Sequence, residues 1–202
     1  MKRCLVSFVA LIFVISANSS SAAGDPTAIV QTTTDQVLAR VQAEKDSLKA
    51  DPQKMYNLVS ELIFPHFDFA IMSQWVLGEH WGNADNGTRD NFVDQFRKLL
   101  VRTYATALLE FSDQAIEYPP VEQKGSGKTA LVKQEIARPG GDSIPIIYRL
   151  HNKTGAWKVF DVSVDGVSLV KTYRASFGSM IKDDGLEGLI AQLSSKNQQY
   201  GN

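Results

Sequence analysis

Three histidines, one aspartate on an alternating stretch and two tyrosines are the side chains best suited to acid–base or metal chemistry. His66, His80 and His151 are the only imidazoles, and none has a partner at i+3 or i+4 that would make a metal pair on one helix face. His66 lies between Pro65 and Phe67 and reads as a loop or core residue, while His151 ends a strand. Asp161 follows Phe160 on a stretch of strand-like alternation. In a closed apolar cavity it could act as a general base, with Tyr104 or Tyr148 donating a hydrogen bond to a small apolar substrate. It could equally face solvent or bond a neighbouring loop. No serine sits in a G-x-S-x-G elbow and no glycine-rich loop is spaced to cradle phosphate.

The elements that must carry these groups run helices first, sheet second, helices last. Ile29, Val30, Val37, Leu38 and Val41 recur at helical spacing, followed by polar residues through Lys49. Asp51-Pro52 reads as a cap with proline at the first helical position; Met55, Leu58, Val59 and Leu62 are the apolar stripe, which Pro65 ends. Asp68 opens a short helix with Phe69, Met72, Trp75 and Val76, stopped by Gly78. Asp85 opens a long helix reaching about Phe111. Its apolar side holds Phe92, Phe96, Leu99, Leu100, Thr103, Ala107 and Leu108, and Arg89, Asp94, Arg97 and Arg102 form the expected solvated side.

Beyond Pro119-Pro120 the period changes to two. Residues near 114–124, 128–138, 143–151 and 156–165 read as four strands separated by Gly125-Ser126-Gly127, Pro139-Gly140-Gly141 and Asn152-Lys153-Thr154-Gly155. Such short turns make neighbouring strands antiparallel. Pro145 falls near the start of its strand, where a missing donor is tolerated. Two short helices follow at 172–182 and 185–195, and residues 196–202 form a polar, loose tail. This is an α+β chain, with a helical layer over one antiparallel sheet.

Residues 1–23 carry Lys2 and Arg3, an apolar run at 5–15 and the small-residue site Ser21-Ala22-Ala23, which together read as an export signal. The run is shorter than the roughly 20 residues of a membrane span. Cys4 leaves with it, so cysteine ligation and thiol catalysis are excluded from the mature chain. Without Lys2 and Arg3, 19 basic residues face 22 acidic ones, a net charge of −3. Nucleic acid would call for a basic stripe. Residues 24–195 are long enough for one domain with a substantial core.

Met72, Trp75, Phe92, Phe96, Tyr104, Tyr148, Phe160 and Phe177 supply more bulk than a small core requires, although most could simply fill one. Alternation puts Phe160, Val162 and Val164 on one side of a strand. Tyr148 and Leu150 share a side of the preceding one, with Arg149 turned to water. This row is either core or the wall of an apolar pocket.

The chain resembles the MlaC family, also called toluene-tolerance proteins. The resemblance is carried by Phe64-Pro65-His66-Phe67-Asp68-Phe69, by Val76-Leu77-Gly78 with Trp81, and by Phe92-x-x-x-Phe96-Arg97 with Tyr104. It continues through the segment from Gly155-Ala156-Trp157 to Gly166-Val167-Ser168 and the closing Gly185-Leu186-Glu187-Gly188-Leu189-Ile190-Ala191-Gln192-Leu193. Asn86-Gly87 departs from the proline-containing turn that often opens the long helix in relatives, which bears on capping alone.

The resemblance implies an NTF2-like fold whose four-stranded sheet and N- and C-terminal helices enclose an apolar lipid cavity. It implies a non-enzymatic periplasmic phospholipid carrier, without cofactor, metal or catalytic residues. Such a carrier works between an outer-membrane lipoprotein complex and an inner-membrane ABC transporter with an MCE-domain ring, maintaining outer-membrane lipid asymmetry. The chain is expected to act as a monomer. The cavity lining expected here is Met72, Trp75, Val76, Phe92, Phe96, Leu99, Leu100, Tyr104, Tyr148, Leu150, Phe160, Val162, Val164, Val167 and Phe177. The competing reading is an NTF2-like enzyme built on Asp161.

Overall fold

The computed structural model describes residues 24–121 and 127–200, so the export signal and the Gly125-Ser126 half of the first turn lie outside the described residues. Asp25 caps α1 (Pro26–Ala43) through the Thr27 amide, and a break at Glu44 separates α2 (Lys45–Ala50) from it. Asp51 caps α3 (Pro52–Leu62), accepting from the Gln53 amide. A 3-10 turn over Phe64–His66 leads to α4 (Phe69–Leu77), where Asp68 accepts from the Ile71 amide. Gly78, at φ 58°, ends α4 in a backbone conformation few side chains tolerate. Then come α5 (Glu79–Asn83) and α6 (Asn86–Glu110), the latter capped by Asp85 on the Thr88 amide.

The sheet is β1 (Ile116–Glu117), β2 (Thr129–Ile136), β3 (Ile144–His151), β4 (Lys158–Val164) and β5 (Val167–Ser168), antiparallel in chain order. It has five strands rather than the expected four. The first is only two residues long, because Pro119 and Pro120 cannot donate to a ladder. The extra strand arises because Asp165 and Gly166, both at positive φ, make a two-residue hairpin turn that returns Val167 to pair with Val164.

A single helical run, α7 (Leu169–Tyr200), closes the chain, bent where Gly185 takes φ 75° and ψ 173°. The expected break at 185 is therefore present, but the preceding helix starts earlier. Residues 196–200, expected to be loose, are helical, with Asn197 Nδ2 donating to the backbone and side-chain oxygens of Gln95 at 3.0 Å.

Three apolar clusters hold these parts together. Met72, Val76, Phe92, Phe96, Phe160, Phe177 and Leu189 join α4, α6 and α7 to the sheet. Val41, Met55, Leu58, Val101 and Ala105 join α1, α3 and α6. Val30 of α1 packs with Val132, Leu150, Val159 and Val162 of the sheet.

Candidate functional site

The pairing of β3 with β4 decides which side chains share a face. Ile146 lies opposite Val164, Tyr148 opposite Val162 and Arg149 opposite Asp161; Leu150 then lies opposite Val159. The register slips by one residue, so Phe160 is the extra residue of a β-bulge. Val162, Val164, Tyr148 and Leu150 stay together on one face with Val132 and Val159. Phe160 does not join them. It turns into the helical cluster with Met72, Phe92, Phe96 and Phe177, which corrects the expectation of a single wall through Phe160, Val162 and Val164.

The expected lining is thus divided by the sheet. On the helical side Met72, Val76, Phe92, Phe96, Leu99, Phe160 and Phe177 are buried, and Leu100 is partly so. Phe92 stacks on Phe96 at 5.6 Å between centroids, and Phe177 meets both rings edge-on. Tyr104 is half-buried on the same helix, where burial first, and then Tyr173, push its hydroxyl well above the usual phenol range. On the other side, Tyr148 donates to Gln134 Oε1 at 2.5 Å, and burial first, then Tyr118, push its hydroxyl above the usual phenol range as well. Two of the expected residues are surface groups: Trp75 is 44 % exposed and Val167 58 %. Trp75 lies against Phe160 at 5.5 Å, and the Arg149 guanidinium covers both rings at 5.6 and 5.0 Å rather than pointing to open water.

Asp161 is 1 % exposed, and both its oxygens are occupied. Oδ1 accepts from the Val170 amide at 3.2 Å; Oδ2 accepts from Ser168 Oγ at 2.8 Å and from Arg149 at 3.5 Å. It clasps the first turn of α7 to β4, with each oxygen engaged by a donor from the surrounding structure. His151 plays the matching part for α4. Its Nδ1 accepts from the Lys153 amide at 3.3 Å, which assigns the proton to Nε2, and Nε2 donates to Asp68 Oδ2 at 2.9 Å. The Asp68 amide in turn donates to Val159 O at 2.8 Å. Both α4 and α7 are therefore fastened to the sheet at their N-terminal ends through a carboxylate.

Pattern alone missed these two clasps, because their partners come from distant segments. The dense aromatic run from Phe64 to Phe69 was the available sign: Phe67 packs against both the helical and the sheet cluster and is stacked on Phe69 at 5.6 Å. The fold also leaves a half-open cleft of about 480 Å³. Its walls include Pro26 and Thr27 of α1, Tyr118 and Pro119, Ala130 and Val132 of β2, and Trp157. Val132 is also part of the sheet cluster, so the cleft borders the cluster that holds Tyr148, Leu150 and Val162. Among the described residues there is no cluster of three metal-ligating side chains, and no helix is long and apolar enough to cross a membrane.

The site is thus an antiparallel sheet under clasped helices, with Asp161 and His151 engaged in holding them and its bulk in apolar clusters. The family model described as MlaC protein matches residues 31–195, and the chain belongs to that family. It is 24 % identical over 198 residues to the intermembrane phospholipid transport system binding protein MlaC of Haemophilus influenzae, covering 96 % of this chain and 92 % of that one. It is 29 % identical over 188 residues to the toluene tolerance protein ttg2D of Pseudomonas putida, covering 90 % of this chain and 87 % of that one. Among solved structures, a phospholipid-binding protein from Ralstonia solanacearum in complex with a phospholipid superposes with a TM-score of 0.81 at 30 % identity. That match covers 89 % of this chain and 100 % of the other.

Proposed function

We propose that this protein is a periplasmic phospholipid carrier that shuttles lipid between an outer-membrane lipoprotein complex and an inner-membrane ABC transporter with an MCE-domain ring, maintaining outer-membrane lipid asymmetry. The observation that carries the reading is the match, over 89 % of the chain, to a protein that holds a phospholipid in its solved structure. The chemistry agrees with it. Each buried methylene contributes about 0.8 kcal/mol, so an acyl chain of about 15 methylenes supplies on the order of 12 kcal/mol without any polar contact. The apolar clusters on either face of the sheet, linked by Phe67, are the interior against which such a chain would lie. The headgroup alcohol can stay in water.

Against the enzyme reading stands the engagement of Asp161 by Val170, Ser168 and Arg149, which gives its carboxylate a fastening role. Extraction of the purified protein with organic solvent, followed by mass spectrometry, tests the carrier. Diacyl phospholipid near one molecule per chain is expected. Protein that extracts clean, and stays clean after incubation with phospholipid vesicles, would refute it.

A further inference from the structure

Arg97 is not on the solvated side of α6. Val93, Arg97, Val101 and Ala105 follow one another at i+4, and the other three members of this row are buried. The Arg97 guanidinium lies over the rings of Phe69 at 4.9 Å and Phe64 at 5.6 Å. Its Nε is enclosed without a hydrogen-bond partner, while neither terminal nitrogen is among the enclosed, unpaired atoms. No carboxylate of the described residues approaches it: Asp94, one turn back, is engaged by Lys98 at 2.8 Å, and Asp68 by His151.

Cation–π attraction to the two rings offsets part of the cost of taking the guanidinium out of water, and an anion at its terminal nitrogens would offset the rest. The position of the guanidinium is informative. Phe64 packs against both the helical cluster and the α1–α3–α6 cluster, and Phe69 belongs to the former, so Arg97 lies between two apolar clusters while itself only half-buried, with its terminal nitrogens outside the set of enclosed, unpaired atoms. A diester phosphate there would present its oxygens to a planar fork of N–H donors while the chains lay in the interior.

We propose that Arg97 is the group that receives the phosphate of the bound lipid, so that the protein reads the phosphate rather than the alcohol attached to it. The inference rests on the carrier reading and deepens it. A phosphate-specific contact through a half-buried arginine is compatible with weak discrimination among headgroup alcohols. Diacylglycerol with the same chains, lacking the phosphate, should be held less well by roughly tenfold to a hundredfold, the range for hydrogen bonds to a charged group.

The test incubates the mature chain with vesicles containing phosphatidylglycerol and diacylglycerol of identical chains in equal amounts, and measures bound lipid by mass spectrometry. The unaltered protein should hold phosphatidylglycerol in at least tenfold excess. Arg97→Met, which keeps length and packing bulk, should bring the ratio close to one while total lipid stays near one per chain. Arg97→Lys should retain part of the preference. Glycerol 3-phosphate at millimolar concentration should displace nothing, because it has no chains to bury. A role in packing alone would lower the melting temperature of Arg97→Met and leave the ratio untouched, which overturns the proposal. An unaltered protein without preference overturns it too, as does displacement of lipid by glycerol 3-phosphate, which would mark a site for free phosphate esters. If Arg97→Met does not fold, the ratios of the unaltered protein and Arg97→Lys decide alone. Uptake of neither lipid by the unaltered protein overturns the carrier reading and this proposal with it, whereas uptake of both without preference leaves the carrier standing.

Discussion

Replacing Asp161 with alanine should release the N-terminal end of α7 from the sheet, and the contacts set the size of the effect. Three donors lose their acceptor: the Val170 amide at 3.2 Å, the Ser168 hydroxyl at 2.8 Å and the Arg149 guanidinium at 3.5 Å. The Val170 bond is fully buried, so that amide is left unpaired in the interior at about 1–3 kcal/mol. Loss of the acceptor for Ser168 Oγ, the hydroxyl that accepts from the Lys171 amide, adds about 1 kcal/mol. Arg149 adds little, because its side chain is 36 % exposed and rehydrates. The sum is about 3 kcal/mol, or roughly 6–12 °C in melting temperature for a domain of this size. Asp161→Asn keeps an oxygen for Val170 and can donate to Ser168 Oγ, so about 1 kcal/mol is expected. Urea titrations followed by circular dichroism measure both. An alanine variant within about 0.5 kcal/mol of the parent, or an asparagine variant as damaged as alanine, would show that the clasp is not what holds α7.

Phe96→Asp places a charge at a fully buried position between Phe92, Tyr173 and Phe177, at a cost of several kcal/mol, and should both destabilise the protein and empty it of lipid. Wild-type stability and lipid content in that variant would place Phe96 outside any binding interior. Because α4 and α7 are fastened at their N-terminal ends, lipid release is expected to part their distal portions from the sheet, near Gly78 and beyond Gly178. A disulfide tying either portion to the sheet should leave lipid bound and block its transfer to acceptor vesicles; transfer at the normal rate from every confirmed crosslink sinks that idea. His66 is held below the ordinary histidine range, first by burial and then by Lys158. The unfolded chain therefore binds the proton first as pH falls, so this residue's contribution is present above about pH 6.5 and is lost below it. Denaturant midpoints measured from pH 7.5 to 5 should fall less steeply in His66→Gln, and an unchanged slope would refute the assignment.

Local signals were legible in the residues because each depends on few atoms close in the chain. Asp51, Asp68 and Asp85 cap helices where their positions before Pro52, Phe69 and Asn86 imply, and Gly78 and Gly185 stop or bend them where a left-handed backbone is needed. The period-2 stretches likewise became β2, β3 and β4 in antiparallel order, since turns of a few residues permit no other pairing. The end of the fourth strand near 165 was readable, yet the short strand after it was not, because Val167 and Ser168 become a strand only by meeting Val164 and Ser163.

The tertiary structure alone decided which side chains share an interior. Alternation along β4 predicts Phe160 beside Val162, but a one-residue slip against β3 sends Phe160 to the helices, and nothing within β4 reports the register of its partner. Arg97 shows the same limit on a helix. Both stripes of α6 are readable as i+4 rows, but the second is buried only because α3 and α4 pack against it. Asp161 and His151 had residue types suited to catalysis, and their partners from β5, α7 and the Asp68 cap made them fastenings instead. Chemical character belongs to the residue; what that character is used for depends on neighbours brought from elsewhere in the chain.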